Sequence, residues 1–152
     1  MRILSCVAAA IVLATASFAA SADDRDADSW PTLGRDWKQS YYSPLTGINA
    51  DNIAQLGYAW GYDLQFTSTL EATPIVIDGV MYTSGNGGRT YALDAATGAL
   101  RWKFEPTLDS KIDYEGAGYG FVNRGVAVSQ GKVFVGAADG WLLGRRLQHA
   151  FL

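Results

Sequence analysis

Residues Tyr91 to Phe104 constrain the fold more than any other stretch of this chain. Tyr91 and Leu93 alternate as apolar residues, as a half-buried strand requires. Asp94-Ala95-Ala96-Thr97-Gly98 reads as a turn, because Asp and Thr side chains bond nearby backbone N–H groups and glycine tolerates a positive φ. Leu100, Trp102 and Phe104 resume the period of two, with Arg101 and Lys103 facing the other way. Such a strand–turn–strand unit cannot bury its faces alone, so it implies further sheets of the same kind.

The chain supplies part of that repetition. Glu71 to Ser84 reads as a hairpin, with Asp78-Gly79 as the two-residue turn between β-branched runs. Val126 to Gly136 repeats it around Gln130-Gly131, and Gly79 and Gly131 lie 52 residues apart. Propeller blades commonly repeat every ~40–50 residues, and the long connection from Glu105 to Gly120 accounts for the excess. Asp139-Gly140-Trp141-Leu142-Leu143 then matches Gly88 to Ala92 in position. The pattern stops inside that strand, and Gly144 to Leu152 replaces the expected Asp-x-x-Thr-Gly turn. Residues 144–152 are therefore read as an aberrant tail, as a frameshift near Leu143 would produce. His149 is the sole histidine and has no metal-ligand partner at a workable spacing, so it is read as a tail residue.

Residues 1–22 read as a secretory signal peptide: Arg2 is the basic start, Ile3 to Ala20 is apolar or small, and Ala20-Ser21-Ala22 has the form of a cleavage site. Cleavage there removes Cys6, the only cysteine, so no disulfide can form and stability must come from packing. The absence of a basic run argues against a nucleic-acid partner. Frequent Gly, Thr, Tyr, Trp and Val without long helical periodicity indicate an all-β chain, and five Trp suit broad sheet-on-sheet packing.

Asp23 to Ser29 is expected to be a mobile leader. Asn49 to Leu56 reads as a capped short helix, with Ile53 and Leu56 facing inward. Leu56 to Leu64 reads as a strand that places Tyr58, Trp60 and Tyr62 on one face.

The ordered motifs support a family resemblance. Trp30-x-x-x-Gly34-Arg35-Asp36, Tyr42-Ser43-Pro44-Leu45, Ile48-Asn49-x-x-Asn52-Ile53-x-x-Leu56 and Ala59-Trp60 run in sequence. Glu71-Ala72-Thr73-Pro74 and Val122-Asn123-Arg124-Gly125 follow. Together they resemble the N-terminus of pyrroloquinoline-quinone (PQQ)-dependent alcohol and methanol dehydrogenases, and Ala92 to Trp102 resembles the tryptophan-docking motif of those quinoproteins. The resemblance spans Trp30 to Leu143. It implies an incomplete β-propeller, about two blades of an eight-bladed ring, with residues 30–143 forming its N-terminal part. The N-terminal segment is then expected beside the last blade of the ring.

The resemblance also implies a chemistry. The family oxidises an alcohol to an aldehyde, with PQQ and calcium near the propeller axis and a cytochrome taking the electrons, in the periplasm. The Glu of Glu-Ala-Thr-Pro, here Glu71, lines the PQQ pocket. The Arg of Val-Asn-Arg-Gly, here Arg124, pairs with a PQQ carboxylate, a task suited to the planar guanidinium fork. Asn123 is read as a turn residue, and Trp60 and Trp102 as packing residues. The family's catalytic Asp and calcium ligands fall in later blades, so this chain alone is expected to be inactive. Many members carry adjacent cysteines where this chain has Gly118-Tyr119-Gly120-Phe121, which leaves Tyr119 or Phe121 as candidates to stack on the quinone. An alternative is a non-catalytic propeller module, such as an outer-membrane assembly scaffold. It would share the hairpins and Trp repeats but would need no Glu71/Arg124 pair.

Overall fold

A computed structural model describes residues 27–65, 70–109, 111 and 122–147. The expected signal peptide over residues 1–22, Tyr119, Phe121 and His149 lie outside them. Seven strands form two antiparallel meanders. The first sheet is β1 (Ile75–Ile77), β2 (Val80–Ser84), β3 (Thr90–Asp94) and β4 (Leu100–Phe104), in that spatial order. The second is β5 (Ala127–Ser129), β6 (Lys132–Gly136) and β7 (Leu142–Arg146). This is the expected all-β architecture of two propeller-type blades. β7 continues to Arg146, past the point where the sequence repeat breaks.

The two short turns have a common cause. Asp78 and Gly79 take φ values of 51° and 71°, and Gln130 and Gly131 take 48° and 69°. Two consecutive positive φ values match the twist of the flanking strands, which is why glycine takes the second position of both turns and Asp78 suits the first of one. The Asp94 turn is held differently. Asp94 Oδ1 accepts hydrogen bonds from the Ala96 and Thr97 amides and the Thr97 hydroxyl, while Oδ2 accepts one from Arg101 at 2.7 Å. Gly98, at φ 74°, closes it.

The core is one row of side chains across the first sheet. Ile75 pairs with Tyr82, Tyr82 with Ala92, and Ala92 with Trp102. All four are buried and meet Val133 of β6. Ala92 is fully buried, and its small side chain sits between the large rings of Tyr82 and Trp102, whose centroids are 6.1 Å apart. Opposite Val133 in the second sheet is Arg145, whose guanidinium carbon lies 5.2 Å from the Trp102 ring and 5.3 Å from that of Phe104. Trp102 is thus packed between the sheets, as expected of the docking motif.

Three readings of the sequence are corrected. Leu100 is 45 % exposed: the register shifts between Ala92 and Leu93, so the period of two does not run unbroken through β4. The helix over Asn49 to Leu56 shrinks to a 3₁₀ turn at Ile53–Gln55, with Ile53 and Leu56 exposed, because no described element packs on that side. The segment from Leu56 to Leu64 is in no ladder. Trp60, Tyr62 and Leu64 are half-buried at alternate positions against the back of the first sheet, while Tyr58 is exposed. The Trp60 indole N–H donates to the Ala95 carbonyl at 3.2 Å, and a Cβ on Gly98 would fall 2.5 Å from the Trp60 ring. The Tyr91 hydroxyl donates to the Leu64 carbonyl at 3.2 Å. Further upstream, Trp30 forms a two-bond antiparallel bridge with Val76, so this part of the N-terminal segment joins the first blade.

The Asp94 turn yields a pH prediction. The Arg101 hydrogen bond, followed by those from Thr97, lowers the Asp94 carboxyl from 3.8 to about 2. A depressed carboxylate stabilises the fold fully above its unfolded pKa, and that contribution is lost as pH falls through the folded value. Asp94→Asn is expected to melt below the parent at neutral pH. The gap should close between pH about 4 and about 2 in circular-dichroism melts. A gap that stays constant through that window would contradict the charge-based account.

Candidate functional site

The first strands of the two sheets bring the candidate residues together. β1 and β5 each follow a short extended lead-in, Glu71 to Pro74 and Val122 to Gly125. Thr73 and Gly125 form a parallel backbone bridge between these lead-ins, and the Thr73 amide reaches the Arg124 carbonyl at 3.5 Å. Glu71 and Arg124 therefore stand side by side, with Arg124 Nε 3.4 Å from Glu71 Oε2. The two residues, 53 positions apart in sequence, form one ion pair.

That pair does not hold the corner by itself. The Arg124 side chain is 87 % exposed and the Glu71 side chain 42 % exposed, and ion pairs in water are worth about 0–1 kcal/mol. The backbone does more. Gly125 has φ 129°, and a Cβ there would lie 3.2 Å from the Thr73 carbonyl oxygen. Only glycine lets the two lead-ins approach this closely.

Asn123 ties the same corner to both sheets. Its Oδ1 accepts from the Gly125 amide at 3.0 Å and from the Ser84 hydroxyl at the end of β2. Its Nδ2 donates to the Gly136 carbonyl at the end of β6, at 2.7 Å. The turn reading of Asn123 accounts for the bond to Gly125 alone. The contacts with Ser84 and Gly136 were not legible, because nothing in the sequence links positions 84, 123 and 136.

Among the described residues, no three His, Cys, Asp or Glu side chains converge as a metal-binding group. Asp78 and Asp94 sit at turns, in agreement with the sequence reading. The corner can bind an anion through the exposed guanidinium. Among the described residues its ion pair with Glu71 uses Nε, and the exposure of the group leaves it accessible to a carboxylate.

Residues 30–144 match the family described as the glucose/ethanol/alcohol dehydrogenase β-propeller domain that carries the PQQ name. The chain belongs to this family. It is 48 % identical over 121 residues to the quinohemoprotein alcohol dehydrogenase ADH-IIG of Pseudomonas putida, covering 80 % of this chain and 17 % of that protein. It is 44 % identical over 140 residues to the 1-butanol dehydrogenase (cytochrome c) of Thauera butanivorans, covering 92 % and 19 %. The crystal structure of the quinohemoprotein alcohol dehydrogenase of Comamonas testosteroni superposes with a TM-score of 0.71 at 44 % identity, covering 78 % of this chain and 18 % of that one. The chain thus spans less than a fifth of the length of these family members.

The glycine at the corner can be tested directly. Gly125→Ala combines a φ that L residues rarely adopt with a close backbone contact, and is expected to cost about 1–3 kcal/mol in urea unfolding. Gly79→Ala also has a positive φ, but no atom lies within 4 Å of its new Cβ, so it should cost less. The reverse order would mean that the Thr73–Gly125 approach is not a tight constraint.

Proposed function

We propose that this chain provides the first two blades, and one wall of the cofactor site, of an exported PQQ-dependent alcohol dehydrogenase. The observation that carries this reading is the convergence of Glu71 and Arg124 at the corner where β1 and β5 begin. A propeller used only as a scaffold needs no such pair. In a closed ring, the strands through which neighbouring sheets join lie toward the axis, and that is where a central cofactor would be met.

The donor set suits PQQ. PQQ is a tricarboxylate quinone that, when bound, accepts the electrons of the alcohol. Arg124 would hold one of its carboxylates by a charge-assisted pair, and Glu71 would accept a hydrogen bond from the cofactor while keeping the guanidinium in place. The family resemblance adds calcium to the same site and assigns its ligands and the catalytic Asp to later blades. On this reading the chain alone does not turn over alcohol. A cytochrome as electron acceptor is supported by the name of the Thauera relative. The periplasm as location is supported by the signal-peptide pattern of residues 1–22.

The test is a graft. Residues 30–144 of this chain would replace the matching segment of the Pseudomonas putida enzyme, and PQQ would be titrated into the calcium-loaded protein. Arg124→Ala should weaken PQQ binding by about ten- to a hundredfold, the worth of a hydrogen bond to a charged group of roughly 1.5–3 kcal/mol. Arg124→Lys should recover only part of that, since an ammonium lacks the planar fork. Unchanged affinity in Arg124→Ala would return Arg124 to a structural role and remove the support for the cofactor site.

A further inference from the structure

We infer that Asn123 is the positioning residue for Arg124, and that Ser84 completes this device from the neighbouring sheet. The inference rests on the reading of Glu71 and Arg124 as a cofactor wall, and goes beyond it by naming what aims the guanidinium. Three observations lead to it. The Arg124 side chain is 87 % exposed and, among the described residues, pairs with Glu71, an exposed contact too weak to fix its direction. The backbone sets where that side chain starts and its Cα–Cβ direction, and the residue after it sits at φ 129°, where small rotations are not resisted by a side chain of its own. Asn123 removes that freedom: its amide is bonded on both sides, to the Gly125 N–H and Ser84 hydroxyl through Oδ1 and to the Gly136 carbonyl through Nδ2.

The geometry divides the work of this side chain. The Oδ1 bonds join the turn that carries Arg124 to the end of β2. The Nδ2 bond joins it to the end of β6. Because β2 and β6 belong to different sheets, Arg124 moves with the seam between the sheets, and so does Glu71 through the Thr73–Gly125 bridge. The Asn123 amide is taken up by Ser84, Gly125 and Gly136. It acts through Arg124.

The experiment uses the full 152-residue chain and proton–nitrogen NMR. Two quantities are read: the cross-relaxation peak between the Arg124 δ-protons and the Glu71 γ-protons, and the exchange rate of the Gly125 amide proton. The parent should show the peak and a protected Gly125 amide. Asn123→Ala should lose the peak and speed Gly125 exchange by about fivefold or more. Asn123→Asp keeps the Oδ1 acceptor and loses the donor to Gly136. It should therefore lower the melting temperature as Asn123→Ala does, yet keep the Arg124–Glu71 peak that Asn123→Ala loses, so that the peak follows the Oδ1 bonds and not stability. Ser84→Ala removes one hydroxyl from a strand end and serves as the second, milder variant should Asn123→Ala fail to fold; it should weaken the peak in the same direction. A peak that persists unchanged in Asn123→Ala and Ser84→Ala would overturn the positioning role and leave the Glu71/Arg124 reading intact. No peak in the parent would overturn the pair itself and, with it, the site on which the inference rests.

Discussion

The packing of Trp102 between the two sheets is the interaction on which the rest of the structure depends. A single antiparallel meander has two faces to cover, and an isolated one is marginal in water. In this chain the row Ile75–Tyr82–Ala92–Trp102 covers one face by meeting Val133 and Arg145 of the second sheet. Burying a tryptophan removes some 150–250 Å² of mostly apolar surface from water. The Arg145 guanidinium is suited to this contact because its flat face can lie on an aromatic ring, where a cation is attracted by the ring quadrupole. The back of the same sheet is covered by Trp60, Tyr62 and Leu64. The first blade is therefore covered on one face by the second sheet and in part on the other by the segment that carries them.

That stacking gives the candidate site its geometry. Once the sheets are stacked, the lead-ins to β1 and β5 approach closely enough for a backbone bridge, which a glycine at position 125 permits. Glu71 and Arg124 meet as a consequence, not as a cause, since an ion pair this exposed adds little stability. The order of effects runs from apolar burial, through backbone approach, to an exposed charged pair at the corner.

The sequence exposed the local rules and concealed the long-range ones. Asp78-Gly79 and Gln130-Gly131 were legible because a two-residue turn between apolar runs has few solutions. Trp102 was legible because the alternation around it demanded a second sheet. Glu71 and Arg124 were found through family resemblance, and no spacing rule could have paired them. The alternation around Trp60 suggests a strand and is real in the structure, yet the segment packs on the back of a sheet without joining a ladder. Ile53 and Leu56 were expected to face inward, which a one-turn 3₁₀ helix with no described cover does not allow. Asn123 escaped because a side chain that bonds three separate positions leaves no periodic trace.

The central claim is that the corner of Glu71 and Arg124 faces the cofactor of a quinoprotein propeller. The measurement that tests it most directly is a crystal structure of the grafted Pseudomonas putida enzyme with PQQ and calcium bound. The account predicts a PQQ carboxylate oxygen within hydrogen-bonding reach, about 2.7–2.9 Å, of the Arg124 guanidinium, with Glu71 on the same side of the ring system. PQQ seated at the axis with Arg124 turned to the outer rim, or held by other cations alone, would contradict it.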